Sequence, residues 1–260
     1  MADLPLALAG AVTGLVVGLT GVGGGALMTP ILILGFGVPP ITAVATDLWF
    51  AAITKCAGLA IHRNGGTVDW QVVRRLWAGS IPVALAVVVL VAMGARVTKL
   101  PWLTQSIGVV IAITAIGMLV APVLKRIARE RRIAEPVHFR SRQPALTVGG
   151  GALLGFLVAL TSVGAGALGT VMLIALYPLR MTPHRLVATD IAHAIPLAVV
   201  AGTGYLIAGE VNASMLGSML LGSVPAVIVG SLIARVASPR WLQVALALVL
   251  LVAAAKSIGS

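Results

Sequence analysis

Four ionisable residues stand inside otherwise apolar stretches of the chain: Asp47, Lys55, Asp190 and His193. A charge within such a stretch is costly unless it is paired or faces water, so function is the first hypothesis for each. A carboxylate can couple a proton or ligate an ion, and an ammonium group can contact an anion. The structural alternatives are that the carboxylates cap broken helices and that Lys55 extends its charge toward a membrane surface. We therefore assign Asp47, Asp190 and His193 to coupling or helix support.

The spacing of these residues limits their pairing. His193 follows Asp190 by three positions, which places both on one helix face as a proton relay or a buried hydrogen-bonded pair. Lys55 lies eight positions beyond Asp47 but about 80° around the helix, so an ion pair between these two is not favoured. Five other residues fall at segment ends or in loops and are expected to be solvated: His62, Asp69, His138, His184 and Glu210.

Two glycine runs interrupt the apolar segments, Thr20-Gly21-Val22-Gly23-Gly24-Gly25 and Thr161-Ser162-Val163-Gly164-Ala165-Gly166. Glycine permits the irregular backbone that a helix break requires. A helix that restarts after a break presents free N-H groups and a positive dipole end, which together favour an anion. The competing interpretation is a small-residue face for close helix packing. We favour a substrate site, with these predicted members: Thr20, Gly21, Gly23, Gly24, Gly25, Lys55, Thr161, Ser162, Gly164 and Gly166.

Composition defines the class of protein. Hydrophobic residues make up 59% of the chain and charged residues 10%, with a mean hydropathy of +1.09. This predicts an all-α integral membrane protein in a lipid bilayer. The net charge of +11 is spread over loops, so no nucleic-acid partner is expected. The single cysteine, Cys56, excludes an internal disulfide and is expected to be a small packing residue.

The apolar segments predict about eight to ten helical segments, including broken or re-entrant half-helices. Their approximate bounds are 5–20, 24–38, 41–61, 76–95, 101–124, 145–160, 165–178, 184–208, 214–234 and 241–258. If each segment crosses once, one side collects most of the basic residues, namely Arg63, Arg74, Arg75, Lys125, Arg126, Arg129, Arg131, Arg132, Arg140, Arg142, Arg180, Arg185, Arg235 and Arg240. Because basic loops remain in the cytoplasm, both termini are predicted to be periplasmic.

The two halves of the chain repeat one another. Gly14 and Thr20 match Gly155 and Thr161 at an offset of 141 residues. Further on the offset becomes 143, where Ala-Thr-Asp at 45–47 and Gly-Ser-x-Pro at 79–82 recur at 188–190 and 222–225. We predict an N-terminal transmembrane repeat at 1–124, a basic cytoplasmic linker at 125–143 and a C-terminal repeat at 144–260. An odd number of crossings per half would invert the second repeat, a common plan of secondary transporters.

Three motifs of the first half resemble the TauE/SafE sulfite exporter family, also called the toluene sulfonate uptake permease family. They are Gly21-Val22-Gly23-Gly24-Gly25, Ala45-Thr46-Asp47-Leu48 with Thr54-Lys55, and Gly66-Thr67-Val68-Asp69-Trp70. The resemblance covers essentially the whole chain. It implies a bacterial inner-membrane carrier for sulfur-containing anions or small organic acids, such as sulfite, thiosulfate, sulfoacetate and other sulfonates. Family members differ in substrate and direction.

The sequence therefore predicts a secondary transporter that exports a small sulfur-containing anion by alternating access, with proton coupling left open. The alternatives are an anion channel whose glycine runs form the constriction and a carrier of small carboxylates. The expected partners are the anionic substrate and the lipid bilayer, with a homodimer left open. An enzyme would need a nucleophile paired with a base, or a cluster of metal ligands, and the sequence indicates neither. We therefore assign no catalytic residue, metal or cofactor.

Overall fold

A computed structural model of the protein describes residues 3–20, 25–62, 68–93, 136–164 and 166–234, with scattered helical positions between 109 and 130 and between 248 and 255. Every regular element in the described part is helical. The helices are α1 Leu4–Thr20, α2 Gly25–Pro30 with a π-helical continuation over Ile31–Gly35, α3 Pro40–His62, α4 Trp70–Met93, α5 Pro136–Thr161, α6 Ala167–Leu176, α7 Pro183–Ile207 and α8 Ala213–Ala234. Most of the predicted segments 101–124 and 241–258 lies outside the described residues.

The helix bounds agree with the apolar segments, with two differences. α4 begins at Trp70, ahead of the predicted start at 76. The prediction missed this start because the first turns carry Arg74 and Arg75 and are not apolar. α5 begins at Pro136, within the predicted linker, and its first turns are likewise polar. Among the described residues, four helices are long and apolar enough to cross a membrane, over Trp70–Val91, Arg142–Thr161, Arg185–Ile207 and Ala213–Ile233. The protein is thus a multi-pass helical membrane protein.

The helices pack side by side in the order α1, α8, α3, α7, α4, α5. The central pair, α3 and α7, carries Asp47 and Asp190. The main apolar core lies around this pair and includes Leu48, Val88 and Leu197. The inner helices α3 and α7 are thereby held away from lipid, and polar side chains on them can be buried inside the protein.

Both outer helix pairs are in direct backbone contact. A Cβ added to Gly14 of α1 would lie 2.5 Å from the carbonyl oxygen of Ser223 in α8. A Cβ added to Gly155 of α5 would lie 2.2 Å from the carbonyl oxygen of Ser80 in α4. These separations are shorter than real Cβ atoms show, so both positions require glycine. The two contacts join residues that correspond at the offsets of 141 and 143 residues.

The glycine on the partner helix of each pair behaves in the same way. A Cβ on Gly222 would lie 1.9 Å from the Ala7 carbonyl oxygen, and one on Gly79 would lie 2.0 Å from the Val148 carbonyl oxygen. Ala7 and Val148 again differ by 141 positions. These four glycines therefore form packing faces, as membrane helices commonly use small residues.

The starts of α4 and α8 are also alike. Asp69 Oδ1 accepts a bond from the backbone N-H three residues on, at 3.4 Å, and Asp69 N donates to Thr189 Oγ1 at 3.1 Å. Asn212 Oδ1 accepts from the N-H three residues on, at 3.0 Å, and Asn212 N donates to Thr46 Oγ1 at 3.1 Å. Each cap thus ties the start of one helix to a threonine beside one of the two central aspartates.

Candidate functional site

The second glycine run separates α5 from α6. α5 ends at Thr161, α6 begins at Ala167, and the segment between them has positive φ at Ser162 (57°) and Gly164 (116°). Gly164 tolerates this conformation without a Cβ, whereas Ser162 is held in a region that side chains rarely adopt. Gly166 is the residue just before α6. The predicted helix break is therefore present, and Ser162 is its strained residue.

The first glycine run lies at the corresponding place between α1 and α2. Thr20 is the last residue of α1 and Gly25 the first of α2, while the predicted site residues Gly21, Gly23 and Gly24 lie outside the described residues. The prediction of a helix break at this run therefore falls on residues outside the described part of the chain.

Thr161, a predicted substrate contact, uses its hydroxyl within its own segment. Its Oγ1 donates to the Leu157 carbonyl at 2.7 Å and accepts from Val163 N at 3.1 Å. The hydroxyl therefore caps the end of α5. The Ser162 hydroxyl is buried and has no hydrogen-bond partner in the described structure.

The four ionisable residues predicted to lie inside the protein are all buried. Lys55 Nζ of α3 lies 3.3 Å from Asp190 Oδ2 of α7, and both side chains are at most 4% exposed. The ion pair therefore joins the two central helices. Asp190 Oδ1 lies against Gly169 in the first turns of α6, where a Cβ would be 2.7 Å from it.

Asp47 has different surroundings from Asp190. Its Oδ2 accepts a bond from Thr29 Oγ1 of α2 at 2.5 Å, and the Ser162 hydroxyl faces the same carboxyl group. No cation lies within ion-pair distance of Asp47 among the described residues. Each central aspartate therefore lies against a short helix that follows a glycine run, but only Asp190 is paired with a lysine.

His193 does not bond to Asp190, although the two share a helix face. Its Nε2 lies 3.0 Å from Ser80 Oγ of α4, and Trp77 Nε1 donates to its backbone carbonyl at 3.2 Å. On the other side of the central pair, Thr54 Oγ1 lies 2.7 Å from Ser223 Oγ. Hydroxyls of α4 and α8 thus hold polar groups of the central helices.

Sequence reasoning did not name Thr29, Ser80 and Ser223 as site residues. A signal for each was present. Ser80 and Ser223 belong to the repeated Gly-Ser-x-Pro motif, and Thr29 corresponds to Thr170 at the offset of 141. Recurrence of a hydroxyl at equivalent positions was the sign that these residues bond across helices.

The prediction that Asp69 is solvated is wrong. Asp69 is 2% exposed, and its carboxylate pairs with Arg180 Nε at 2.6 Å and Arg185 Nη2 at 3.2 Å. Both arginines belong to the segment from the end of α6 to the start of α7. The backbone turn of the cap buries the carboxylate, and the arginines compensate its charge. Glu210 is only half-buried, and the side chains of His62, His138 and His184 lie outside the described residues.

Cys56 also differs from its prediction. It is exposed rather than packed in the core. It directly follows the buried Lys55 on α3. Successive residues of a helix point in different directions, so Cys56 points away from the central pair. Cysteine is usually buried, but the exposure of Cys56 is set by the side of α3 on which it lies.

A helical membrane protein with broken helices and buried charges at their ends belongs to the general class of membrane transporters. The model of the family described as sulfite exporter TauE/SafE matches residues 6–257. The chain therefore belongs to the TauE/SafE family, a family of membrane transporters.

Two relatives from Bacillus subtilis (strain 168) are similar to the chain. The "Probable membrane transporter protein YjnA" is 38% identical over 258 residues, which is 98% of this chain and 100% of the relative. The "Probable membrane transporter protein YunE" is 41% identical over 59 residues, 23% of this chain and 22% of the relative. No solved structure matches the chain significantly.

Proposed function

We propose that the protein is a secondary carrier that exports a small sulfur-containing anion, such as sulfite, sulfoacetate or a related sulfonate, across the bacterial inner membrane. The observation that carries this proposal is the Lys55–Asp190 ion pair, buried at the start of the short helix α6. There the Asp190 carboxylate lies against both the ammonium group and the first turn of a helix, and each of these two features favours an anion. The description of the family as a sulfite exporter supports the substrate class and the direction.

We propose further that the two halves are inverted repeats, with both termini periplasmic, and that the carrier works by alternating access. The equivalent packing contacts of α1 with α8 and of α5 with α4 support the duplication, as do the equivalent caps at Asp69 and Asn212. The basic loops support the orientation. Within this scheme the anion binds between the two glycine runs. Asp47 and Asp190 support the short helices or couple a proton.

A thermal-shift screen of the purified protein tests the substrate class. The compounds are sulfite, thiosulfate, sulfoacetate, taurine and simple carboxylates. A ligand that binds only the folded protein stabilises it by about 2.7 kcal/mol at 100 times its Kd. We expect a sulfur-containing anion to raise the melting temperature. If carboxylates alone stabilise the protein, the proposed substrate class is wrong and the protein is a carboxylate carrier.

Two variants test the position of the site. Gly24→Leu fills the first glycine run and should abolish stabilisation by the ligand that the screen identifies. Gly217→Leu is the matched control, because nothing lies within 4 Å of a Cβ added at Gly217. An unchanged ligand effect in Gly24→Leu would place the site elsewhere.

Flux measurements in liposomes distinguish a carrier from a channel. A carrier gives saturable, exchange-stimulated flux, whereas the conductance of a channel far exceeds carrier turnover.

A further inference from the structure

The two central aspartates occupy equivalent positions in the sequence but have different partners. Asp190 is neutralised by Lys55 at 3.3 Å. Asp47 accepts a hydrogen bond from the Thr29 hydroxyl at Oδ2 and has no ion pair in the described structure. The described charges near the central pair are thus two carboxylates and one ammonium group, which leaves one negative charge without a partner.

The remaining titratable groups near this point are already engaged. Lys55 lies on the same helix as Asp47, two turns away, and its Nζ is turned to Asp190 and lies near His193. His193 bonds to Ser80 of α4. The groups that face Asp47 are the hydroxyls of Thr29 from α2 and Ser162 from the segment before α6. The backbone of Thr29 is the other polar group at this carboxyl. A fully buried carboxylate that has these neutral neighbours and no cation beside it in the described structure is costly when ionised, and a bound proton or cation would remove that cost.

Two atoms at Asp47 could share such a proton. Asp47 Oδ1 and Ser162 Oγ are both buried, and neither has a partner at hydrogen-bonding geometry in the described structure. A proton on Oδ1 turns that oxygen into a donor to Ser162 Oγ, and one O-H group then satisfies both atoms. The same bond connects α3 of the first half with the strained residue of the second helix break.

We propose that Asp47 is the coupling site of the carrier, that its ligand is a proton on Oδ1, and that Asp190 serves instead as the counter-ion of Lys55. The proposal rests on the proposed carrier function for its meaning in transport. The proton comes from water on the open side of the carrier, forms the O-H bond at Oδ1 and returns to water on the other side. While it is bound, Asp47 holds Ser162 and thereby the second break. Loss of the proton frees Ser162 to move.

Infrared spectroscopy of the purified protein in lipid tests the proton without any substrate. A protonated carboxyl group has a C=O stretch well separated from that of a carboxylate. At neutral pH we expect this band in the native protein and in Asp190→Asn, and we expect Asp47→Asn to remove it. Asp69→Asn, which changes a buried carboxylate paired with arginines, is the matched control and should keep the band.

A second variant covers the case in which Asp47→Asn fails to fold. Thr29→Val removes the hydrogen bond to Oδ2 and should shift the band to higher frequency without removing it. A native protein without the band, or a band unaffected by both variants at Asp47 and Thr29, would overturn the proposal. Loss of the band on replacing choline chloride by sodium chloride would also overturn it, because the site would then bind a metal cation.

Proton uptake on ligand binding connects the site to transport. Sulfoacetate is the probe, since it is fully ionised near neutral pH. Calorimetry is done at an alkaline pH at which the substrate-free protein has lost the infrared band, in buffers of different ionisation enthalpy. It should give about one proton per sulfoacetate for the native protein and about none for Asp47→Asn. Binding without proton uptake in the native protein contradicts the coupling role. Absence of sulfoacetate binding contradicts the proposed substrate and leaves the infrared result to decide the proton site.

Discussion

At the level of single residues, the Lys55–Asp190 pair should behave as one unit. Removing one member of a buried ion pair leaves an uncompensated charge and costs about 3–5 kcal/mol. We expect Lys55→Met and Asp190→Asn each to reduce the free energy of unfolding by about this amount, and the double variant to lose much less than the sum. Chemical denaturation in detergent measures all three.

The exposed Arg126–Glu130 pair provides the control for this comparison of single and double variants. Its side chains are 82% and 65% exposed, so Arg126→Met should change stability by no more than about 0.5 kcal/mol. Additive losses in the Lys55 and Asp190 variants would contradict a coupled pair.

For the four ionisable residues inside apolar stretches, residue type and position indicated a place within the protein but not which atoms they meet. Asp47, Lys55, Asp190 and His193 stand out in an apolar sequence, and all four are buried. Their partners depend on how α3 and α7 are rotated against α4 and α6, and no local pattern records that rotation. The spacing of Asp190 and His193 therefore placed them on one face without showing that they bond to Lys55 and Ser80.

At the level of helices, glycine contacts make a sharp prediction. Gly222→Ala places a Cβ 1.9 Å from the Ala7 carbonyl oxygen, so α1 and α8 must separate. We expect a loss of about 1–3 kcal/mol, the usual cost of overpacking. Thermal unfolding in detergent measures it.

Gly217→Ala in the same helix is the matched control. Nothing lies within 4 Å of the added Cβ, and alanine favours a helix over glycine by up to about 1 kcal/mol. The control should therefore be neutral or stabilising. Equal effects of the two variants would mean that α1 and α8 do not touch at Gly222.

Helix bounds could be predicted largely from the sequence because apolar length and glycine runs are local signals. α3, α7 and α8 begin and end within a residue or two of the predicted segments. The early starts of α4 and α5 were missed because polar first turns look like loops. The Asp69 cap could have indicated the start of α4, since an aspartate commonly precedes a first turn.

For the whole molecule, the proposed orientation predicts which loops are reached from outside. In a Cys56→Ser background, Leu179→Cys lies between α6 and α7 and Ala208→Cys lies just after α7. Both positions are exposed. A membrane-impermeant maleimide should label the cysteine at 208 in intact cells and the cysteine at 179 only after the membrane is opened.

The opposite labelling pattern would mean that the protein has the opposite orientation in the membrane from the one proposed. Labelling of both cysteines from one side would contradict a membrane crossing by α7. The parent Cys56→Ser protein, which has no cysteine, gives the background signal.

The order in which the helices pack could not be predicted from the sequence. The repeat offsets indicated which residues correspond, but not that α1 packs with α8 and α4 with α5. Those pairs depend on contacts between distant parts of the chain, where backbone meets backbone at Gly14 and Gly155. A glycine in a membrane helix is compatible with a break, a packing face or neither, and only the neighbouring helix distinguishes these.

The caps of α4 and α8 have a consequence for how such a protein evolves. Asp69 and Asn212 make the same backbone bonds, yet only the carboxylate attracts Arg180 and Arg185. Aspartate and asparagine codons differ by one nucleotide. A single mutation can therefore give or remove a charge at one end of the molecule while the helix start stays intact, so the two ends can diverge without any change of fold.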